Sequence, residues 1–211
     1  MEPMATVLTG DLIASTQAGK EAVDGAMAVL EAVASHEAQI SGLDVRFARF
    51  RGDGWQMYCP DAAKVFRLTV LVLANLHSRP LLPKTRLAVE VGEVTFLPGE
   101  GLESANGAAF RQSGRNLDQM TNKHIFISKE ADGRWQRPLL SYLDWQSSRW
   151  SPEQAEAVAL AFRHDPPRKR NVVEHLSISR QAAEARLNGA GYGPLCDADQ
   201  SFHIIPWAPN D

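Results

Sequence analysis

Residues 45–59 read VRFARFRGDGWQMYC, and this stretch decides the fold. Strand side chains alternate between two faces. VRFARF alternates, RGDG turns, and WQMYC alternates again, which is the pattern of a hairpin. Gly52 and Gly54 flank Asp53 at its tip and are expected to supply backbone angles that other residues avoid. Arg46 and Arg49 lie three residues apart and so on opposite faces; one must meet a polar rim, a cleft or a solvated face.

Upstream, ATVLTGD (5–11) is a short β-rich run that stops at Gly10-Asp11. From Lys20 to about Ala38, the residues Val23, Met27, Leu30, Val33 and Ala34 recur at helical spacing and predict an amphipathic helix. Downstream, a second helix is expected over Ala62 to Leu76, ending before the turn at Ser78 to Pro83. RLAVEVGEV (86–94) is a further strand broken by Gly92. Then come a Gly-rich loop, a helix from about Gly107 to Met120 and the short strand HIFIS (124–128). This order matches an α+β, ferredoxin-like plan with a split βαβ arrangement, one sheet carrying helices on one face.

A chain of 211 residues with 44% hydrophobic content has the size for one larger domain and one small one, here 1–130 and 151–211 joined by a connecting segment, 131–150. The net charge of -3 argues against whole-molecule affinity for nucleic acid, so any such contact is local. Cys59 and Cys196 match no zinc spacing and read as reduced thiols. The apolar run from Phe66 to Ala74 is too short to span a bilayer, and MEPMATVLTGDL has no basic region followed by a long apolar stretch. The expectation is a soluble, cytoplasmic chain with no membrane partner.

Beyond residue 150, Ser151-Pro152-Glu153 reads as an N-cap with proline at the first helical position, opening a helix to about His164. DPPRKR (165–170) interrupts it. RKRNVVEHLSISRQAAEARLNGAGYG (168–193) then gives a short helix, a turn and a second helix opened by Ser179, which is helix-turn-helix spacing. With Ile178, Ala182, Ala183 and Leu187 as its apolar stripe, the second helix leaves Arg180, Gln181 and Arg186 for base edges of double-stranded DNA. Arg168, Lys169 and Arg170 are then available to phosphates. Glu174 and Glu184 dilute this patch, and such modules also serve as dimer or docking elements. The tail FHIIPW (202–207) reads as an edge strand or wing, with His203 part of its packing.

Asp11 ends the first strand and Asp53 sits at the hairpin tip. If those strands are neighbours, two carboxylates meet at one sheet edge, the oxygen donors that a hard divalent cation takes together with nucleotide phosphates. Asp and Gly are also ordinary turn formers. The loop PGEGLESANG (98–107) lacks the lysine and the serine or threonine of a phosphate-binding P-loop.

DLIAST (11–16), RFRGDGWQ (49–56), RLAVEVGEV and GAAFRQSGRNL (107–117) resemble, in order, the motifs of class III nucleotidyl cyclases. Adding the GDGWQ hairpin and WSPEQ (150–154) before a helix-turn-helix, the order is similar to that of the SatD family of bacterial proteins. The resemblance implies a cyclase-like palm followed by a small all-α helix-turn-helix domain, and a homodimer. Asp11, Asp53 and the Leu12 carbonyl would hold Mg2+ or Mn2+, and Arg115 would stabilise charge on transferring phosphates. Arg49 and Ser104 would meet the base. Arg111 stands where the cyclase helix carries a ribose-holding asparagine. The implied function is metal-dependent chemistry on a nucleoside triphosphate, cyclising it or linking nucleotides; the alternatives are a non-catalytic, nucleotide-sensing DNA-binding regulator and a silent scaffold.

Overall fold

The computed structural model describes residues 4–50, 52–96, 101–121, 124–127 and 135–204. Strand β1 (Ala5–Leu12) is followed by a single helical turn, α1 (Ser15–Ala18), and the long helix α2 (Lys20–Ser41). The hairpin β2 (Arg46–Phe50) and β3 (Gly54–Cys59) leads to α3 (Val65–His77), and β4 (Thr85–Gly92), α4 (Ala108–Asp118) and β5 (Ile125–Ile127) complete the unit. The sheet order is β2-β3-β1-β4-β5, antiparallel except for the parallel pair β4–β5. Its first four strands have the order of the expected split plan.

Alternation along β1 sorts the two faces. Leu8 and Leu12 share a core with Val89, Val91, Trp55 and Met57 and with α2 and α3. Thr9 faces the other way, and its hydroxyl meets the Ser113 hydroxyl of α4 at 2.7 Å. Buried Asn116 of α4 likewise donates to Glu90 of β4. Helices therefore cover both faces, which corrects the expectation of helices on one. The cause is the stripe Ala109, Phe110, Ser113, Asn116 and Leu117, whose hydroxyl and amide answer the polar side chains Thr9 and Glu90 of the second face.

The segment expected to be a connector contains a helix, α5 (Gln136–Ser147). It is followed by α6 (Pro152–Ala161), α7 (Arg170–Leu176), α8 (Arg180–Ala190) and α9 (Tyr192–Ile204). Ser151 caps α6 through a reciprocal capping box with Gln154, as the sequence indicates. Residues 202–204 belong to α9, so that part of the expected wing is helical: Leu195, Ala198 and Phe202 recur at helical spacing and are buried. The rest of that tail, 205–207, lies outside the described residues.

One apolar cluster runs from the sheet through α3 into α6, α8 and α9. A charge network crosses the same seam. Arg67 of α3, fully buried, lies 3.1 Å from Glu37 of α2 and 3.7 Å from Asp199 of α9, and it donates to the Phe162 carbonyl. Lys64 bridges Glu37 and Asp165. Burial pushes the Asp199 carboxyl above the usual carboxylate range. Asp165, Asp199 and His203 form the single three-membered group of metal-ligating side chains among the described residues, and Lys64 and Arg67 already stand against its carboxylates. None of the helices, among the described residues, is long and apolar enough to cross a membrane.

Candidate functional site

The register of β1 places Asp11 opposite Gly54 of β3 and opposite Arg86 of β4. Asp53, one residue before Gly54, thereby arrives beside Asp11 at the same sheet end. The Leu12 amide donates to the Asp53 carbonyl at 3.2 Å and locks the hairpin tip to the end of β1. After Leu12 the chain turns through Ala14, whose φ of 55° lies in the left-handed region that non-glycine residues avoid. This turn brings the Ser15 hydroxyl onto the Asp53 carboxylate.

Arg86 completes the group. Its Nε and Nη2 donate to Asp11 Oδ1 and Oδ2 at 2.7 and 2.8 Å, a bidentate fork, while its Nη1 donates to the Met120 carbonyl at 3.2 Å. Asp11 first, then Asp118 and Asp53, hold the guanidinium more firmly protonated than usual, so all three acids lie within electrostatic reach of it. A second layer fixes the backbone of Asp11: buried Trp55 donates to the Thr85 hydroxyl at 3.0 Å, and that hydroxyl donates to the Asp11 carbonyl at 2.7 Å.

Ser104 and Arg111 come together elsewhere. With Glu93, Thr95, Asn106 and Gly107 they line a cleft of about 500 Å3. Arg111 donates to the Asn106 side chain at 2.7 Å. Glu93 follows the C-terminal end of β4, whereas Arg86 is near its start; seven residues at the usual strand rise separate them by about 23 Å. Helix α4 runs along most of this distance, its first turn meeting Gly92 and the Met120 carbonyl beyond its far end receiving Arg86. Arg115 is exposed on α4, on the side turned away from Ser113 and the sheet.

Arg49 is not brought to either group. It shares the α2 face of the sheet with Phe47, where it donates to Asp24 at 2.6 Å and to the Gly52 carbonyl at 2.7 Å. Lys20 and then Arg49 hold the Asp24 carboxyl below its ordinary range. Arg46 takes the opposite face and stacks on Phe96 at 4.6 Å. Gly54 lacks the positive φ that Gly52 has. Its small size matters instead, since a Cβ there would lie 2.8 Å from the Phe50 carbonyl and 3.1 Å from the Phe50 ring.

In the C-terminal helices, Ser179 caps α8 and leaves Arg180 and Gln181 exposed in its first turn. Each of the helix arginines meets a glutamate: Arg170 with Glu174, Arg180 with Glu184 and Arg186 with Glu156. Arg168 is exposed, and Lys169 lies over the Tyr192 ring at 5.4 Å.

The sequence reading missed Arg86, Ser15 and Asp118. Of these only Arg86 left a signal: a cation opening a strand whose remaining residues are apolar or acidic.

No family model and no curated relative matches the chain. A solved structure similar to it is the crystal structure of the guanylyl cyclase Cya2, at 19% identity and a TM-score of 0.43, covering 59% of this chain and 74% of that one.

Proposed function

We propose that the Asp11–Asp53 edge binds a divalent cation together with the phosphates of a nucleoside triphosphate, and that the protein is a metal-dependent nucleotide-binding domain of the nucleotidyl cyclase or nucleotidyltransferase type. The observation that supports this reading is the register, which pairs Asp11 with Gly54 and so brings the hairpin tip that carries Asp53 to the end of β1, where the Leu12 amide donates to the Asp53 carbonyl. The donor set would be all oxygen, the two acids with the Ser15 hydroxyl that meets Asp53 and, as the cyclase resemblance implies, the Leu12 carbonyl, which suits Mg2+ or Mn2+. Such a cation, when bound, neutralises phosphate charge and lowers the pKa of a coordinated hydroxyl. Ser15 orients Asp53, and the Trp55–Thr85 chain fixes Asp11 from behind. The remoteness of the Ser104–Arg111 cleft suits a site completed by a second copy of the chain, with Arg115 and Arg111 offered from the partner's α4.

Titration with Mn2+ plus a non-hydrolysable triphosphate analogue tests the reading. Asp53→Asn is expected to weaken uptake at least roughly tenfold, since even outer partners of a metal ligand are worth that much. Equal uptake by the variant would remove Asp53 from the site.

A second reading, a DNA-binding regulator, is favoured by the exposed Arg180-Gln181 at the capped start of α8. It predicts a salt-dependent shift of duplex DNA that disappears in Arg180→Ala with Arg186→Ala. Retention of the shift in that double variant would move any contact away from α8. The three glutamate pairs reduce the free positive charge of this surface, so the nucleotide reading stands first.

A further inference from the structure

Both oxygens of Asp11 are already taken by Arg86, which is a difficulty for a metal ligand and also a clue. A guanidinium fork and a hard dication compete for the same lone pairs, and the pair is only partly shielded, with side-chain exposures of 36% for Arg86 and 26% for Asp11. Arg is also the side chain best shaped to leave a carboxylate for a phosphate, which it grips with the same bidentate geometry. We infer that Arg86 is an internal counter-ion that keeps the metal position closed until a polyphosphate draws its guanidinium away, so that cation and triphosphate bind interdependently. This inference rests on the proposed metal–nucleotide site and adds to it a regulatory residue.

The surroundings of the guanidinium support it. Arg86 is held at the site from outside the carboxylate pair by the Met120 carbonyl, so it has an anchor near the end of α4. Among the described residues, three acids, Asp11, Asp118 and Asp53, act on the guanidinium. When the cation is absent Arg86 offsets that negative charge; when a dication arrives with a triphosphate, a positively charged Arg86 is stabilised by the phosphates instead.

Arg86→Met keeps most of the stem and removes the fork. In calorimetry with Mn2+ alone, wild type is expected to bind weakly and to tighten when inorganic triphosphate is added. Arg86→Met is expected to bind Mn2+ alone about tenfold more tightly, the order of a good bidentate pair at a partly exposed position, and to lose most of the tightening. Arg86→Lys, which keeps the charge and loses the fork, falls between the two. The inference is overturned if Arg86→Met takes up Mn2+ alone no better than wild type while wild type with triphosphate still binds in an Asp53-dependent way; the site then stands and Arg86 does not gate it. If neither chain takes up Mn2+ with or without triphosphate, the site and its gate fall together. Circular dichroism of the variants identifies any loss that comes from unfolding.

Discussion

Arg67→Met is expected to destabilise the chain by about 3–5 kcal/mol, read as a fall in the denaturant midpoint at unchanged slope. Arg67 is fully buried on α3, and so is Glu37 on α2. The Arg67 Nε lies 3.1 Å from Glu37 Oε2, and the rest of the fork reaches Asp199 and the Phe162 carbonyl. Removing the guanidinium leaves Glu37 with Lys64 as its remaining cation, at 3.2 Å, and leaves Asp199 and a buried carbonyl without their cationic partner. The penalty comes from those stranded groups more than from the lost attraction. The double variant Arg67→Met with Glu37→Met should therefore recover much of the loss, because it removes both charges and fills the space with apolar atoms. A single variant within about 1 kcal/mol of wild type would show that this network is water-filled and contributes little.

The same residue shows what a sequence conceals. The apolar character of 65–77 made α3 legible, but Arg67 within it has meaning only through α2, α6 and α9, which packing alone brings together. Strand β1, the hairpin, α2, β4 and α4 were readable because their periods are local: alternation of two, repeats of three and four, glycines at a turn. That the hairpin tip lies at the end of β1 was readable as soon as the strands were taken as neighbours. Arg86 was not, since its partner depends on the register of β4 against β1, and a shift of one residue would turn it to the other face. Helix α5 was hidden by Pro138 and by Trp135, Trp145 and Trp150 in and around it, and α9 by a glycine-rich start and the strand-like ending FHII. Pro194 sits in the first turn of α9, where a helix does not need its missing N–H. The faces carried by Arg46 and Arg49 were left open by alternation, and Asp24 on α2 and Phe96 settle them.

Gly10→Val is expected to cost about 3 kcal/mol or more and to disturb the carboxylate edge with it. Gly10 pairs directly with Trp55 across β1 and β3, and the indole lies over the bare backbone. A Cβ at residue 10 would come within 2.5 Å of two indole carbons and 2.7 Å of the Arg86 carbonyl, distances at which something must shift. Trp55 is fully buried, so the ring cannot swing into solvent without exposing its apolar surface. Any movement of the ring pulls its N–H from the Thr85 hydroxyl, which is the group that fixes the Asp11 carbonyl. Gly10→Ala should show the same effect on a smaller scale, and Trp55→Leu should partly rescue it by clearing the indole, though not the Arg86 carbonyl. A Gly10→Ala chain that unfolds within about 0.5 kcal/mol of wild type would mean that the ring yields easily. The glycine before Asp11 would then be a turn former, and the aspartate's position would owe nothing to the tryptophan beneath it.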